Sequence, residues 1–203
     1  ILLGIHDPRF SDIDLIVYGL ENARRLKAMI QEGRSERFRP VGEEERRAWS
    51  QNIAERFPLT YGQARYLADR RWRYGYFGQR YFSLHPTRCD EEIREGYGDH
   101  VYRDRGVVRI AATVVEASES MFLPAIYRLG DVTILEQEIE GSVGDVEIEE
   151  IVSYEGLYCE AADAGDEIEA RGKLESVDER AFRLVVGTTR LQGGGYLRPR
   201  RLG

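Results

Sequence analysis

The sequence is short of several things, and each shortage excludes a class of protein. Only two cysteines, Cys89 and Cys159, occur in 203 residues, far apart in the chain. Neither a disulfide scaffold nor a zinc site of ordinary ligand spacing can be built from them, and both read as reduced, intracellular thiols. No apolar run approaches the roughly 20 residues needed to span a bilayer, so no membrane contact is expected and the cytoplasm is the expected compartment. The opening Ile1-Leu2-Leu3 lacks the charge-then-apolar pattern of a secretory leader and reads as the interior of an element that starts further upstream. Lysine is scarce as well. Lys27 and Lys173 stand against 27 arginines, a bias of composition from which no function follows.

What is present suffices for a packed core: 42% of residues are apolar and 10% aromatic. Charge is distributed unevenly. Residues 1–130 carry net +2, residues 131–182 net −14 and residues 183–203 net +5. This asymmetry, with the change of periodicity below, predicts two domains over residues 1–98 and 99–203.

Ile13 to Tyr18 is a β-branched run closed by Gly19 and reads as a buried strand. Leu20, Ala23, Leu26 and Ile30 then repeat at helical spacing up to Gly33, predicting a helix over 20–32. Two more helices are expected over 43–57 and, with Thr60 as N-cap, over 61–73. Tyr74 to His85, aromatic and interrupted by glycines, suits a hairpin ended by Pro86. From Gly106 onward the period changes to two. Six or seven short strands punctuated by glycines predict an all-β barrel or sandwich, with the boundary at about residues 96–105. The expected fold class is therefore α+β: an α/β domain followed by an all-β domain.

Asp12 and Asp14 are two apart on a strand, so their carboxylates share a face about 6–7 Å apart. Hard divalent cations such as magnesium take one or two such carboxylates and fill their remaining sites with substrate phosphates. Spacing alone is weak, since Glu136-Glu138-Glu140, Glu147-Glu149 and Glu167-Glu169 repeat it. Those pairs read as solvated strand faces. Asp12 and Asp14 differ in lying at the mouth of an apolar run, where charge without a counter-ion is costly.

The string Ser11-Asp12-Ile13-Asp14-Leu15-Ile16-Val17-Tyr18-Gly19 resembles the second half of the signature of polymerase-beta-type nucleotidyltransferases. With Leu3 to Pro8 and the β-rich tail, it is most similar to archaeal proteins bearing that domain. The resemblance covers about residues 1–85. It implies an α/β nucleotidyltransferase-like domain, Asp12 and Asp14 as catalytic ligands of Mg2+ or Mn2+, and a nucleoside triphosphate contacted by Gly4, His6 and Ser11. An RNA or protein acceptor would complete the reaction. The Gly-Ser first half of the signature would lie upstream of Ile1. A third carboxylate is missing from the strand ending at His85, and Asp90 and Glu91 lie just beyond it.

A second feature is basic and aromatic. Arg70, Arg71, Trp72, Arg73 and Arg80 lie among tyrosines and phenylalanines, as a nucleic-acid or nucleotide surface would require. Burial of strand aromatics beneath a wet arginine face explains the same stretch. The acidic second domain would repel phosphate. Three readings stand: a metal-dependent nucleotidyltransferase, a nucleotide- or RNA-binding or protein-interaction module without turnover, and a sugar-nucleotide transferase, which also places an Asp-x-Asp pair at a strand end.

Overall fold

The computed structural model describes residues 12–33, 37–139, 147–187 and 194–202. In chain order the elements are β1 (Ile13–Tyr18), α1 (Leu20–Gln31), β2 (Phe38–Pro40), α2 (Glu43–Arg56), α3 (Tyr61–Asp69), β3 (Tyr74–Phe77) and β4 (Arg80–Thr87). There follow β5 (Tyr102–Glu116), β6 (Ala125–Ile139), β7 (Ile148–Ser153), β8 (Glu167–Val177), β9 (Ala181–Val186) and β10 (Tyr196–Pro199).

The first sheet has the order β1-β4-β3-β2, with β1 parallel to β4 and the remaining pairs antiparallel. Alternation divides its two faces. Ile13, Val17, Phe82 and Leu84 turn to one side, where they pack with Leu26 and Ile30 of α1, with Phe38 and with Trp72. Asp14, Tyr81, Ser83 and His85 turn to the other. The N-terminus of α1 has no side-chain cap of its own; instead the Glu92 carboxylate accepts the Leu20 N–H at 2.8 Å, satisfying one orphan donor. At α3 the expected cap is found: Thr60 Oγ1 accepts from the Gln63 backbone N–H and the Gln63 side chain accepts from the Thr60 N–H. The helix stops at Asp69 rather than continuing to Arg73; beyond it Arg70, Trp72 and Arg73 all bond to a single buried glutamate described below.

The second sheet has the order β10-β8-β5-β6-β7-β9, and an additional β8–β9 pairing closes β8-β5-β6-β7-β9 into a five-stranded barrel. One edge of β8 serves two partners, β10 over Ile168–Arg171 and β9 over Lys173–Val177. The changeover falls at Gly172, where a Cβ would stand 2.4 Å from the Val185 carbonyl oxygen, so only glycine fits. The interior is filled by alternate residues of the strands, among them Val108, Ile110, Ala112, Val114, Ile168, Ala170 and Leu174. Each large aliphatic side chain so buried contributes about 1.5–3 kcal/mol. Tyr127, fully buried, satisfies its hydroxyl by donating to the Tyr158 carbonyl and accepting the Ala161 N–H at 2.8 Å.

The expected fold class does not describe this chain. Of the described residues 45% are in strands and 25% in helices, and the protein is mostly β, with two sheets and three α-helices. Among the described residues no α/β nucleotidyltransferase-like domain is evident towards the N-terminal end. The physical reason lies in α2 and α3. Ile53, Leu59, Ala64, Leu67 and Ala68 join the same apolar cluster as the barrel strands, so the apolar faces of these two helices pack on the barrel, and α2 meets the first sheet only through Glu45 and Trp49 among the contacts described. Amphipathic periodicity reveals that a helix has a buried face but not what that face meets.

Candidate functional site

The two sequence-selected aspartates stand on the face of the first sheet opposite α1. Asp12 immediately precedes β1 and is exposed; Asp14 is in β1, directly across from Ser83 of β4, with its side chain 67% exposed. Ser83 is buried and donates its hydroxyl hydrogen to Asp14 Oδ1. His85, two residues on and therefore on the same face, brings Nε2 to 2.7 Å from Ser83 Oγ and 3.6 Å from Asp14 Oδ1. The Ser83 hydroxyl has one proton, and an ionised carboxylate can only accept. With that proton given to Asp14, Ser83 Oγ accepts from His85, which assigns the ring hydrogen to Nε2.

Beyond Ser83 the same face becomes aromatic. Tyr74 of β3 lies across from Ser83 and Tyr76 across from Tyr81, so three tyrosines continue the row. Tyr74 and Tyr81 are stacked with centroids 6.2 Å apart, and the Tyr81 hydroxyl is pushed up to about 12, first by burial and then by its tyrosine neighbours, with the Asp12 charge adding to them. Tyr76 donates to Glu45 of α2, and this bond, with the Gly42 N–H, holds the Glu45 carboxyl below its usual range. Arg39 lies over Tyr76 at 4.0 Å. Arg71 is sandwiched between Trp49 at 4.5 Å and Tyr74 at 4.3 Å. Its Nε is the one buried side-chain nitrogen or oxygen without a hydrogen bond among the described residues.

The other members of the basic stretch are committed elsewhere. Glu160 is 6% exposed and has the left-handed φ of 55°. Its Oε1 takes Lys27 Nζ at 2.7 Å, its Oε2 takes the Trp72 indole N–H and Arg73 Nη2, the latter at 3.3 Å, and its carbonyl takes Arg70 Nε at 2.6 Å. Arg70 also pairs with Asp163 at 2.7 Å. Arg70, Trp72 and Arg73 thus tie the first sheet to the barrel and are not brought together with Asp12 and Asp14. Arg80 is exposed at the far end of β4, opposite Phe77. Gly4, His6 and Ser11, expected to contact nucleotide, lie outside the described residues.

Sequence reasoning missed Ser83, His85 and Glu160. The first two were legible in principle, since Tyr81, Ser83 and His85 alternate with Phe82 and Leu84; Glu160 sits in an acidic stretch with nothing local to distinguish it. In the segment 118–125, Met121 and Phe122 are buried against Ala23, with Val17 and Leu20, behind β1. A cleft of about 250 Å³ between α1 and this segment, lined by Arg24, Lys27, Ser120 and Glu160 among others, includes none of Asp12, Asp14, Ser83 or His85.

Chemically, the Asp12–Asp14 face offers hydrated carboxylate oxygens, an imidazole, and flanking tyrosine rings and guanidinium groups. Two exposed carboxylates fit an ion that retains water and phosphate ligands. Among the described residues no group of three His, Cys, Asp or Glu side chains is disposed to hold a metal ion, and no helix is long and apolar enough to cross a membrane. Cys89 and Cys159 are both free thiols.

No family model matches the chain, and no solved structure matches it. Over 197 residues, 94% of its length, the chain is 30% identical to uncharacterized protein MJ1086 of Methanocaldococcus jannaschii, and it covers 54% of that protein. The chain therefore spans about half the length of the curated relative it matches.

Proposed function

We propose that this protein binds a Mg2+- or Mn2+-nucleoside triphosphate through Asp12 and Asp14 and transfers a nucleotidyl group to an acceptor, an RNA or a protein, in the manner of the polymerase-beta-type nucleotidyltransferases whose motif it resembles. The observation that carries this reading is a single sheet face on which the exposed Asp12 and Asp14 adjoin the half-buried Tyr81, Tyr74 and Tyr76 row and the guanidinium groups of Arg71 and Arg39. Carboxylates serve the metal and its phosphates; tyrosine rings and guanidinium planes serve a base or a sugar-phosphate edge. In the transfer, the acceptor hydroxyl would give its proton to solvent as its oxygen bonds the α-phosphorus and the bond to pyrophosphate breaks; Asp12 and Asp14 would hold the metal ion, which would supply neutralisation of charge on the phosphate oxygens. Two free thiols suit a reducing compartment, and we assign the protein to the cytoplasm.

One observation favours a second reading, a nucleotide- or RNA-binding or protein-interaction module without turnover. Across from Asp14, where a third acid would complete a carboxylate cluster, β4 presents Ser83 and His85.

Calorimetric titration with each nucleoside triphosphate in Mg2+ and in Mn2+, on the wild type and on Asp12→Asn, tests the site. Metal-dependent binding lost in the variant supports it, and absence of binding by the wild type refutes it. Pyrophosphate release in the presence of an RNA pool or protein lysate then decides between the two readings.

A further inference from the structure

We infer that the cleft between α1 and the β5–β6 connection binds a small molecule by a phosphate or carboxylate group, held by Arg24 and Lys27. This site is separate from the Asp12–Asp14 face and is independent of the metal-nucleotide reading.

One stripe of α1 builds the helical wall of the cleft. Arg24, Lys27 and Gln31 follow one another at three and four residues and so share a face. Ala28 on the same stripe and Ala117 from the β5–β6 connection are small, and a space of about 250 Å³ is left between the walls. Two carboxylates also line it, and both are already matched. Glu160 gives Oε1 to Lys27 Nζ at 2.7 Å and Oε2 to Trp72 and Arg73, and Asp163 pairs with Arg70 at 2.7 Å. Arg24, Lys27, Arg70 and Arg73 thus stand against Glu160 and Asp163, and the balance at the cleft is positive. The surplus is free to bind. Arg24 is exposed, and among the described residues neither its guanidinium nor the Gln31 amide has a hydrogen bond or ion pair. Lys27 is 28% exposed, and of the three donors of its ammonium one goes to Glu160.

A guanidinium fork takes a carboxylate or phosphate through two parallel N–H···O bonds, and an ammonium adds a point charge, so this donor set fits an oxyanion. Volume sets the size of what carries it. The cleft, at about 250 Å³, is smaller than the roughly 300–1,000 Å³ of pockets for drug-sized ligands. One charged group on a short carbon frame fits it, and a nucleotide does not. An anion seated on Lys27 would extend an existing contact, giving an unbroken line from Arg24 through the anion and Lys27 to Glu160.

The test is a nitrogen–proton NMR titration of the 203-residue chain with inorganic phosphate, glycerol phosphate and malonate, each set against sodium chloride at equal ionic strength. The Arg24 Nε–H and the backbone amides of Ala28 and Ala117 report on the cleft. Wild type is compared with Arg24→Gln and with Arg25→Gln; Arg25 is exposed on the same helix, bonds Glu21 and does not line the cleft. The expected result is saturable shifts with at least one probe that chloride does not produce. Affinity should be about tenfold weaker in Arg24→Gln and within about twofold of wild type in Arg25→Gln. Saturation by the phosphate probes alone identifies a phosphate ester, by malonate alone a carboxylate, and by both an oxyanion site without preference. Absence of saturation with all three probes overturns the inference. So does an affinity in Arg24→Gln no weaker than in Arg25→Gln, which marks a diffuse positive field and an adventitious ion only.

Discussion

Ser83 holds Asp14 from the neighbouring strand: a buried hydroxyl on β4 donates to an exposed carboxylate on β1. The parallel register that places these two residues opposite each other also places His85 beside them. Ser83→Ala leaves the carboxylate chemically intact and removes only its orientation. Metal affinity in the Mn2+ titration should fall about tenfold, while Asp14→Asn abolishes it. Stability, read from a urea midpoint, should change by only about 1 kcal/mol in Ser83→Ala.

Glu160 accepts from Lys27, Trp72 and Arg73 while nearly sealed from water. Replacing it with glutamine leaves two cations facing a neutral group in a poorly solvated place. The expected loss is about 3 kcal/mol or more in chemical denaturation, and a variant within 1 kcal/mol of wild type would show that the cluster relaxes into solvent.

Gly172 is needed for a steric reason, the approach of β8 to the Val185 carbonyl. Gly172→Ala must displace backbone at the point where the barrel closes. We expect a loss of about 2–4 kcal/mol, with the thermal midpoint falling by roughly 4–16 °C. Gly78→Ala serves as a contrast: nothing lies within 4 Å of the added carbon, and the cost there is confined to its positive φ.

Acid should weaken the barrel through Glu175. This residue is 8% exposed and bonds Lys173 and both Nε and Nη2 of Arg183, the latter two at 2.9 and 2.8 Å. Burial pushes its carboxyl up, but the bonds to Lys173 and Arg183 outweigh burial and hold it below the ordinary value. A depressed carboxyl stabilises the fold above the unfolded value of about 4.3 and loses that contribution as pH falls through the lower, folded value. Melting temperatures recorded downward from pH 5 should therefore drop more steeply in the wild type than in Glu175→Gln. The variant itself should be less stable than wild type at pH 7.

Much of this architecture was legible from local pattern. Period-two alternation marked the barrel strands, and Thr60 as N-cap marked the start of α3. The strands proved longer than the short ones expected: β5 alone runs over 15 residues, with irregular pairing along it. What failed was assignment of partners. Nothing in the helical period of α2 and α3 states that they cover the barrel, because that choice depends on contacts across about a hundred residues of chain. The aspartate pair was legible from its motif, but Ser83 and His85 became part of the site only through the β1–β4 register. Glu169, read as a solvated strand face, instead accepts from Arg109, Tyr196 and Arg198. Alternation gives direction, and charge pairing decides whether an outward carboxylate is wet.

The Glu160 cluster has a bearing on cooperativity. Trp72 packs in the core of the first sheet yet hangs by its indole N–H from a residue of the barrel chain, and Lys27 of α1 is tethered to the same carboxylate. Separating the sheet from the barrel would strand a carboxylate and three donors at once. The two layers should consequently melt as one transition, with the amide hydrogens of β4 and β8 exchanging at the same limiting rate, and the pitch of the Asp12–Asp14 face is set by the barrel behind it.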